Sequence, residues 1–209
     1  MINYLRNGDD IYRQSFALIR AEANLENLAA DLIPIAVRLI HACGMTDIVE
    51  AIAASEKAVK IGREALNAGV PILCDAQMVA HGIIRSRLPA HNPIICTLND
   101  PQVPAIAQQI DNTRSAAAIE LWKPHLKDAI VTIGNAPTAL FHLLELLDQG
   151  IPKPALILGF PVGFVGAAES KAELMANSRG VAFITLQGRR GGSAIAAAAV
   201  NALAQETEL

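Results

Sequence analysis

A histidine and an arginine lie three residues apart in a helical stretch that is otherwise apolar. Residues 31–43 are nearly all Leu, Ile, Ala and Val, yet they include Arg38 and His41. The i, i+3 spacing places both side chains on one face of a helix. A histidine exchanges protons near neutral pH, and an arginine binds carboxylates. The pair therefore predicts either acid–base chemistry on an anionic ligand, or a buried histidine bonded to a carbonyl beside an arginine that reaches the surface.

Further arginines follow predicted strands, next to glycines or at the starts of helices. Arg114 lies in the segment NTRSAAA, and Arg189 and Arg190 share the segment GRRGGSA. Guanidinium groups suit carboxylates, and helices that begin after such loops offer N–H groups to an anion. Taken singly, each loop could hold only helix caps and solvated arginines. Together they predict a site for an acidic small molecule at one edge of a sheet.

The signatures of several other chemistries are missing from the sequence. No GxGxxG or GxxxxGK[ST] pattern occurs, so no nucleotide site is predicted, and there is no GxSxG elbow of a serine hydrolase. His41 and Cys43 are splayed on a helix without an HxxxH or CxxC partner, so no metal site is predicted. Cys74 and Cys96 end predicted strands and are interpreted as buried small hydrophobes rather than nucleophiles.

The composition predicts a protein with a large apolar core. The chain has 209 residues, of which 52% are hydrophobic, 18% charged and 4% aromatic. This length suits one domain over 1–209, and the low aromatic content favours helices and buried strands over a β-sandwich. A net charge of −3 argues against nucleic acid as a partner, and no apolar run is long enough to cross a membrane. The three cysteines fit reduced thiols in the cytoplasm.

Five short apolar runs alternate with helical segments after residue 69. Each run is bounded by Pro, Gly, Asn or Asp, as is typical of buried parallel strands; they span 70–76, 93–98, 129–135, 155–162 and 181–187. The alternation predicts a doubly wound, three-layer α/β/α domain with extra N-terminal helices. Ligands of such sheets bind beyond the carboxyl ends of the strands, where the arginine loops would lie.

Two N-terminal helices must position the histidine and the arginine. The first covers residues 11–23, and helical spacing gives it a buried stripe of Tyr12, Phe16, Ile19 and Ala23. The second carries Arg38 and His41, with Pro34 near its start and Gly44 at its end.

Six segments of the chain resemble motifs of one known family. In chain order they are RLIHACG, PILCDAQMVAHG, NTRSAAA, IGNAPTALF, GFPVGFVGAAESK and GRRGGSAIAAAAVNAL. They are similar to precorrin-8X methylmutase, the precorrin isomerase of cobalamin (vitamin B12) biosynthesis, including its cobalt-precorrin-8 counterpart. The resemblance covers essentially the whole chain. It implies a flavodoxin-like fold with a mostly parallel five-stranded sheet, no organic cofactor, and a homodimer whose active sites lie near the subunit interface.

The resemblance also implies a reaction and a set of site residues. The reaction is migration of a methyl group from C-11 to C-12 of an acidic tetrapyrrole, giving hydrogenobyrinic acid or its cobalt form. The catalytic proton donor or acceptor is then His41, with Ser15 and Arg38 in contact with the substrate. Arg114 is a further carboxylate contact, as is Arg189, the first arginine of GRRGGSA; the second arginine varies in the family.

A methyl shift around a conjugated macrocycle needs a proton donor at the ring rather than a nucleophile or a redox carrier. An adjacent Arg38 lowers the proton affinity of His41. We therefore hypothesise that substrate carboxylates neutralise Arg38 and so raise that affinity in the complex. The alternative function is a carrier that binds an acidic tetrapyrrole and delivers it to the next pathway enzyme without doing chemistry.

Overall fold

A mixed sheet between two layers of helices forms the protein. The computed structural model describes residues 2–205. In that range six strands occur: β1 (Ile52–Ala54), β2 (Ile72–Cys74), β3 (Ile94–Ile95), β4 (Ile130–Ile133), β5 (Leu156–Gly159) and β6 (Ala182–Leu186). Their order is β1-β6-β5-β4-β2-β3, and β2 to β6 run parallel.

The five parallel strands are the five predicted runs, and their order is that of the flavodoxin-like fold. The predicted strand count was wrong, because β1 adds an antiparallel edge strand beside β6, with Ile52 opposite Leu186. This strand escaped the sequence analysis for a physical reason. It has three residues, two of them alanines, and its partner lies far along the chain, so no local pattern marks it.

Nine α-helices surround the sheet within the described range. They are α1 (Gly8–Glu22), α2 (Ile33–Cys43), α3 (Ala58–Asn67), α4 (Gln77–Gly82), α5 (Val103–Gln109), α6 (Arg114–Glu120), α7 (Pro137–Asp148), α8 (Ala167–Ala176) and α9 (Ser193–Leu203). Short 3-10 helices cover Thr46–Ala51, Arg85–Arg87 and Lys123–His125. Of the helices in residues 2–205, none combines the length and the apolar character needed to cross a bilayer.

Alternating strand residues separate the two helical layers. Leu156 and Leu158 of β5 pack with α1, α2, α3, α4 and α9, whereas Ile157 between them packs with α6, α7 and α8. Successive side chains of a strand point to opposite faces, so these helix sets cover opposite faces of the sheet. The three-layer architecture predicted from the sequence is therefore confirmed.

The helix that carries the histidine has the predicted boundaries. Pro34 lies in its first turn, and Gly44 ends it with a φ of 70° and an N–H bonded to the carbonyl of Ile40 at 2.7 Å. Helix α2 packs against α1 and against the alanine-rich α9. Small residues let the helices of this layer approach closely: a Cβ added to Gly82 of α4 would lie 2.7 Å from the Cβ of Ala197.

Candidate active site

His41 lies on the last turn of α2, exposed, against two aromatic side chains of α1. Its ring centroid is 5.1 Å from that of Tyr12 and 5.2 Å from that of Phe16, the latter edge to face. The predicted stripe of α1 supplies both rings, with Phe16 and Ile19 buried and Tyr12 half-buried. The contacts fix the imidazole on one side and leave its other side open to a ligand.

Arg38 lies one turn earlier on the same face and is buried, with 7% of its surface exposed. Its Nη2 donates a hydrogen bond to Oε1 of Gln205 at 3.0 Å, and its guanidinium carbon lies 5.3 Å from the Phe16 ring centre. The shared face was predicted correctly, whereas the structural alternative, a buried histidine beside an arginine at the surface, is wrong because the burial of the two is reversed. The arginine is covered by Phe16 of α1 and by Gln205, which follows α9, whereas the histidine contacts α1 on one side and is exposed on the other.

Two surface clefts meet at His41. One, of about 310 Å³, contains Arg38 and is lined by Tyr12, Ala42, Gly82, Ile84, Ala194, Ala197, Ala198 and Asn201. The other, of about 270 Å³, contains Ser15 and is lined by Leu18, Ile19, Glu22, Ile40, Gly44 and Thr46. The imidazole therefore stands between two recesses, with the arginine on one side and the serine hydroxyl on the other.

The surroundings of His41 disfavour its protonated form. Partial burial lowers the pKa of this histidine below 6.5, and the positive charge of Arg38 lowers it further. At neutral pH the free protein therefore holds a neutral imidazole beside a cation. A bound anion that compensates Arg38 would remove the second of these two causes and so raise the proton affinity of His41.

Replacing Arg38 with methionine is expected to raise the pKa of His41. The variant keeps an unbranched side chain but removes the positive charge that disfavours imidazolium. An NMR titration of the histidine ring protons measures the shift, with Lys60→Met, which removes an exposed cation on α3, as the control. Equal His41 pKa values in wild type and Arg38→Met would contradict the proposed coupling.

The anion-binding position of this fold is occupied by the protein's own carboxylate. Asp75 follows β2 where the strand order reverses. Its Oδ1 accepts the N–H of Gly134, and its Oδ2 accepts those of Asn135 and Ala136, each at 2.9 Å. Only 1% of its surface is exposed, and burial raises the pKa of its carboxyl against the opposing effect of these bonds.

The glycine loop after β4 is consequently closed to an external anion. Gly134 also packs under α9, where an added Cβ would lie 2.7 Å from the Cβ of Ala196. Asp75 was not predicted from the sequence, although an acidic residue directly after a buried strand at the reversal point is a usable signal.

Arg114 is exposed at the first turn of α6, in the helical layer opposite to His41. Its Nη2 donates to the carbonyl of Leu98 at 3.3 Å. A 2.8 Å contact between the hydroxyls of Thr113 and Thr138 joins the starts of α6 and α7. Arg114 lines neither of the clefts at His41, so its role as a carboxylate contact stays a prediction.

Arg189 and Arg190 point to different neighbours. The guanidinium of Arg189 lies 5.3 Å from the ring centre of Phe164. Arg190 pairs with Asp47, Nη1 to Oδ2 at 2.7 Å, and so ties the loop after β6 to the 3-10 helix that follows α2. The structure thus brings Ser15, Arg38 and His41 together and places Arg189 at the carboxyl edge of the sheet, outside both clefts.

Lys171 of α8 holds the loop after β6 through a hydrogen bond to its backbone. It is fully buried, and its Nζ donates to the carbonyl of Arg190. Within residues 2–205 it forms no ion pair, and burial lowers its pKa from 10.5 to about 8. A buried ammonium without a carboxylate lowers stability. We therefore interpret Lys171 as a residue that holds the Arg190 carbonyl in position.

Replacing Lys171 with methionine is expected to change the pH dependence of stability. Between pH about 8 and 10.5 the unfolded chain keeps the Lys171 proton that the folded protein has released. The free energy of unfolding of the wild type should therefore rise with pH relative to the variant, by about 3 kcal/mol across this window. Urea unfolding of both proteins at several pH values measures it. Titration of the cysteines contributes equally to the wild type and the variant. Parallel plots of the free energy of unfolding against pH would therefore contradict the lowered pKa of Lys171.

Comparisons with known proteins agree on one family. The family model described as precorrin-8X methylmutase matches residues 10–206. A precorrin-8X methylmutase of Pseudomonas aeruginosa is 65% identical over 208 residues, covering all of both chains. A cobalt-precorrin-8 methylmutase of Leptospira interrogans is 36% identical over 203 residues, covering 94% of this chain and 92% of its own. The crystal structure of a precorrin-8X methylmutase from Thermus thermophilus superimposes with a TM-score of 0.86 at 38% identity, covering 94% and 95% of the two chains.

Proposed function

This chain belongs to the precorrin-8X methylmutase family, and we propose that its active site is the surface around His41. The names of its relatives indicate methylmutase activity on precorrin-8X or cobalt-precorrin-8, which makes it an isomerase of cobalamin biosynthesis. The observation that carries the site is the position of His41 between two clefts, with Arg38 in one and Ser15 in the other.

In the proposed reaction a methyl group migrates from C-11 to C-12 of the macrocycle. No atom leaves or enters the substrate, so the protein needs only to bind the ring, orient it and manage one proton. His41 donates that proton to the conjugated system, or a hydrogen bond to a ring nitrogen, and recovers it after the shift. General acid–base assistance of this kind accelerates a reaction by about 10²–10⁴-fold.

The charges around His41 support binding before protonation. The lowered pKa of this histidine keeps it neutral in the free enzyme. A carboxylate arm of the substrate that pairs with Arg38 removes one of the two causes of that lowering. The proton affinity of His41 is then higher in the complex than in the free enzyme, and the hydroxyl of Ser15 in the other cleft bonds a second arm of the substrate.

We also propose that the enzyme acts as a homodimer whose active sites lie near the subunit interface. Neither cleft, at about 310 and 270 Å³, reaches the roughly 1,000 Å³ of the larger ligand pockets, although a tetrapyrrole is a large ligand. The outer side of α1 exposes Ile11 at 42% and Leu18 at 53%, and Leu18 lines the Ser15 cleft. A second copy on this side would bury these residues and deepen the site.

Hand-off of the product to the next pathway enzyme and a cytoplasmic location complete the proposal. All three cysteines, Cys43, Cys74 and Cys96, are free thiols, which suits a reducing compartment. The alternative of a non-catalytic carrier gains no support, because the relatives compared above are named methylmutases.

A visible-absorption titration with hydrogenobyrinic acid tests the proposed site, with wild type beside His41→Ala. We expect a saturable spectral shift at one equivalent per chain in the wild type, altered in the variant, together with turnover of precorrin-8X by the wild type. Size-exclusion chromatography with light-scattering detection gives the oligomeric state. If neither the cobalt-free nor the cobalt-containing tetrapyrrole gave a shift or turnover, the proposed function would be wrong.

A further inference from the structure

Three apolar side chains are exposed together at the carboxyl edge of the sheet. In the loop between β5 and α8, Phe164 is 82% exposed, Val165 89% and Val162 44%. Single exposed hydrophobic residues are ordinary, but a cluster that includes an aromatic ring is typical of a binding surface. The clefts at His41 do not include these residues, and the function proposed above does not use them.

The exposed loop is held in place by the loop that follows β6. The N–H of Gly163 donates to the carbonyl of Arg189 at 3.2 Å, and that of Gly192 donates to the carbonyl of Phe160 at 2.8 Å. Gly191 lies so close that an added Cβ would be 2.3 Å from the Phe160 oxygen. We call these two segments, residues 160–166 and 187–192, the ledge. Because these hydrogen bonds join the two segments, the three exposed apolar side chains lie on a surface of defined shape.

The ledge combines an apolar face with a positive charge. The guanidinium of Arg189 lies over the Phe164 ring, 5.3 Å from its centre. A ring flanked by a guanidinium suits a ligand that has a broad apolar face and carboxylate arms. A protein partner without acidic groups would leave this charge uncompensated.

The ledge adjoins the His41 site at two points. The ion pair of Arg190 with Asp47 ties it to the 3-10 helix that directly follows α2. Helix α9 begins at Ser193, just after the ledge, and its Ala194 lines the cleft that contains His41 and Arg38. The start of α9 therefore connects that cleft with the ledge.

We propose that Phe164 forms an outer subsite beside Arg189, which the family resemblance already gives as a carboxylate contact. The Phe164 ring takes an apolar face of the tetrapyrrole bound at His41, and Arg189 takes one of its carboxylate arms. The inference rests on the proposed function, because it takes the substrate class from it. Lys171 is a positioning residue of this subsite. It touches no substrate, and its hydrogen bond to the Arg190 carbonyl holds the backbone that carries Arg189.

Binding of hydrogenobyrinic acid to the full-length protein tests the subsite. Phe164→Ala is expected to raise the Kd about tenfold and leave kcat at saturating substrate nearly unchanged. Arg189→Met should weaken binding comparably and reduce its salt dependence. The matched control is Tyr4→Ala, because Tyr4 is also an exposed ring, 63% exposed, with the guanidinium of Arg6 5.0 Å from its centre, but it lies outside the ledge.

Lys171→Met separates positioning from general stability. We expect a several-fold higher KM, unchanged kcat and no loss of stability near neutral pH, because a buried charge is removed. A merely structural role would instead lower stability and leave KM unchanged, which would overturn the positioning role.

The failure of the subsite and that of the proposed function are distinguishable. Wild-type affinity in Phe164→Ala, with wild-type turnover intact, would overturn the subsite and leave the function standing. Conversion of Phe164→Ala to a monomer with unchanged affinity per chain would assign the ring to a contact between copies, and would also overturn the subsite. A wild type that neither binds nor converts the tetrapyrrole would overturn both.

Discussion

Replacement of His41 by alanine is expected to lower kcat by about 10²–10⁴-fold, the usual contribution of a general acid or base. The imidazole stands between the Arg38 cleft and the Ser15 cleft and is the titratable group that both share. Because Arg38 and Ser15 remain, we expect the variant to bind the tetrapyrrole with an altered spectrum. Single-turnover kinetics followed by visible absorption measure the chemical step.

The matched control for this variant is His125→Ala. His125 is also exposed but lies in the 3-10 helix Lys123–His125, whose neighbours pack on the opposite face of the sheet. It should turn over at the wild-type rate. The His41→Ala variant should keep its fold. The histidine ring that it lacks is exposed, and among the aromatic residues of the described chain it contacts only Tyr12 and Phe16. Turnover by His41→Ala at the wild-type rate would remove this histidine from the mechanism.

Asp75→Asn is expected to lower the free energy of unfolding by about 2–4 kcal/mol. The amide oxygen of asparagine can replace Oδ1 toward Gly134, but its NH₂ group would face the N–H groups of Asn135 and Ala136, which now donate to Oδ2. Buried donors without an acceptor carry their full desolvation penalty. The loss of a buried charge offsets part of this cost, since burial disfavours the ionised carboxyl.

Urea unfolding of the wild type and Asp75→Asn measures the effect, and Asp100→Asn is the control. Asp100 also accepts a backbone N–H, that of Gln102 at 2.9 Å, but in a water-accessible turn, so its change should stay within about 0.5 kcal/mol. Turnover per folded molecule of Asp75→Asn should match the wild type. A stability loss below about 1 kcal/mol would show that water or another group satisfies these amides.

The carboxylate of Asp75 also explains where the candidate site lies. Flavodoxin-like sheets bind ligands in the crevice where the strand order reverses. Here Asp75 occupies the amides of that crevice, and α9 packs against Gly134. The clefts at His41 instead lie in the layer of α1, α2, α4 and α9. The ledge lies at the same carboxyl edge with Phe164 and Val165 exposed, and it is there that we propose the outer subsite.

The sequence by itself determined the features that depend on local patterns. Short apolar runs between Pro, Gly, Asn and Asp predicted the five parallel strands, and Pro34 and Gly44 delimited α2. Helical spacing placed Arg38 and His41 on one face, and the motifs predicted the family that the comparisons then showed. These signals suffice because backbone preferences and side-chain periodicity act within a few residues.

Only the tertiary structure decided what is buried and what meets across the sheet. Arg38 is buried because Phe16 of α1 and Gln205, which follows α9, both cover it, whereas His41 contacts α1 on one side and is exposed on the other. The partners of Asp75 lie about sixty residues away, and β1 pairs with a strand near the other end of the chain. Helical or strand periodicity states which side chains share a face, whereas burial, charge compensation and hydrogen-bond partners depend on which distant element packs against that face.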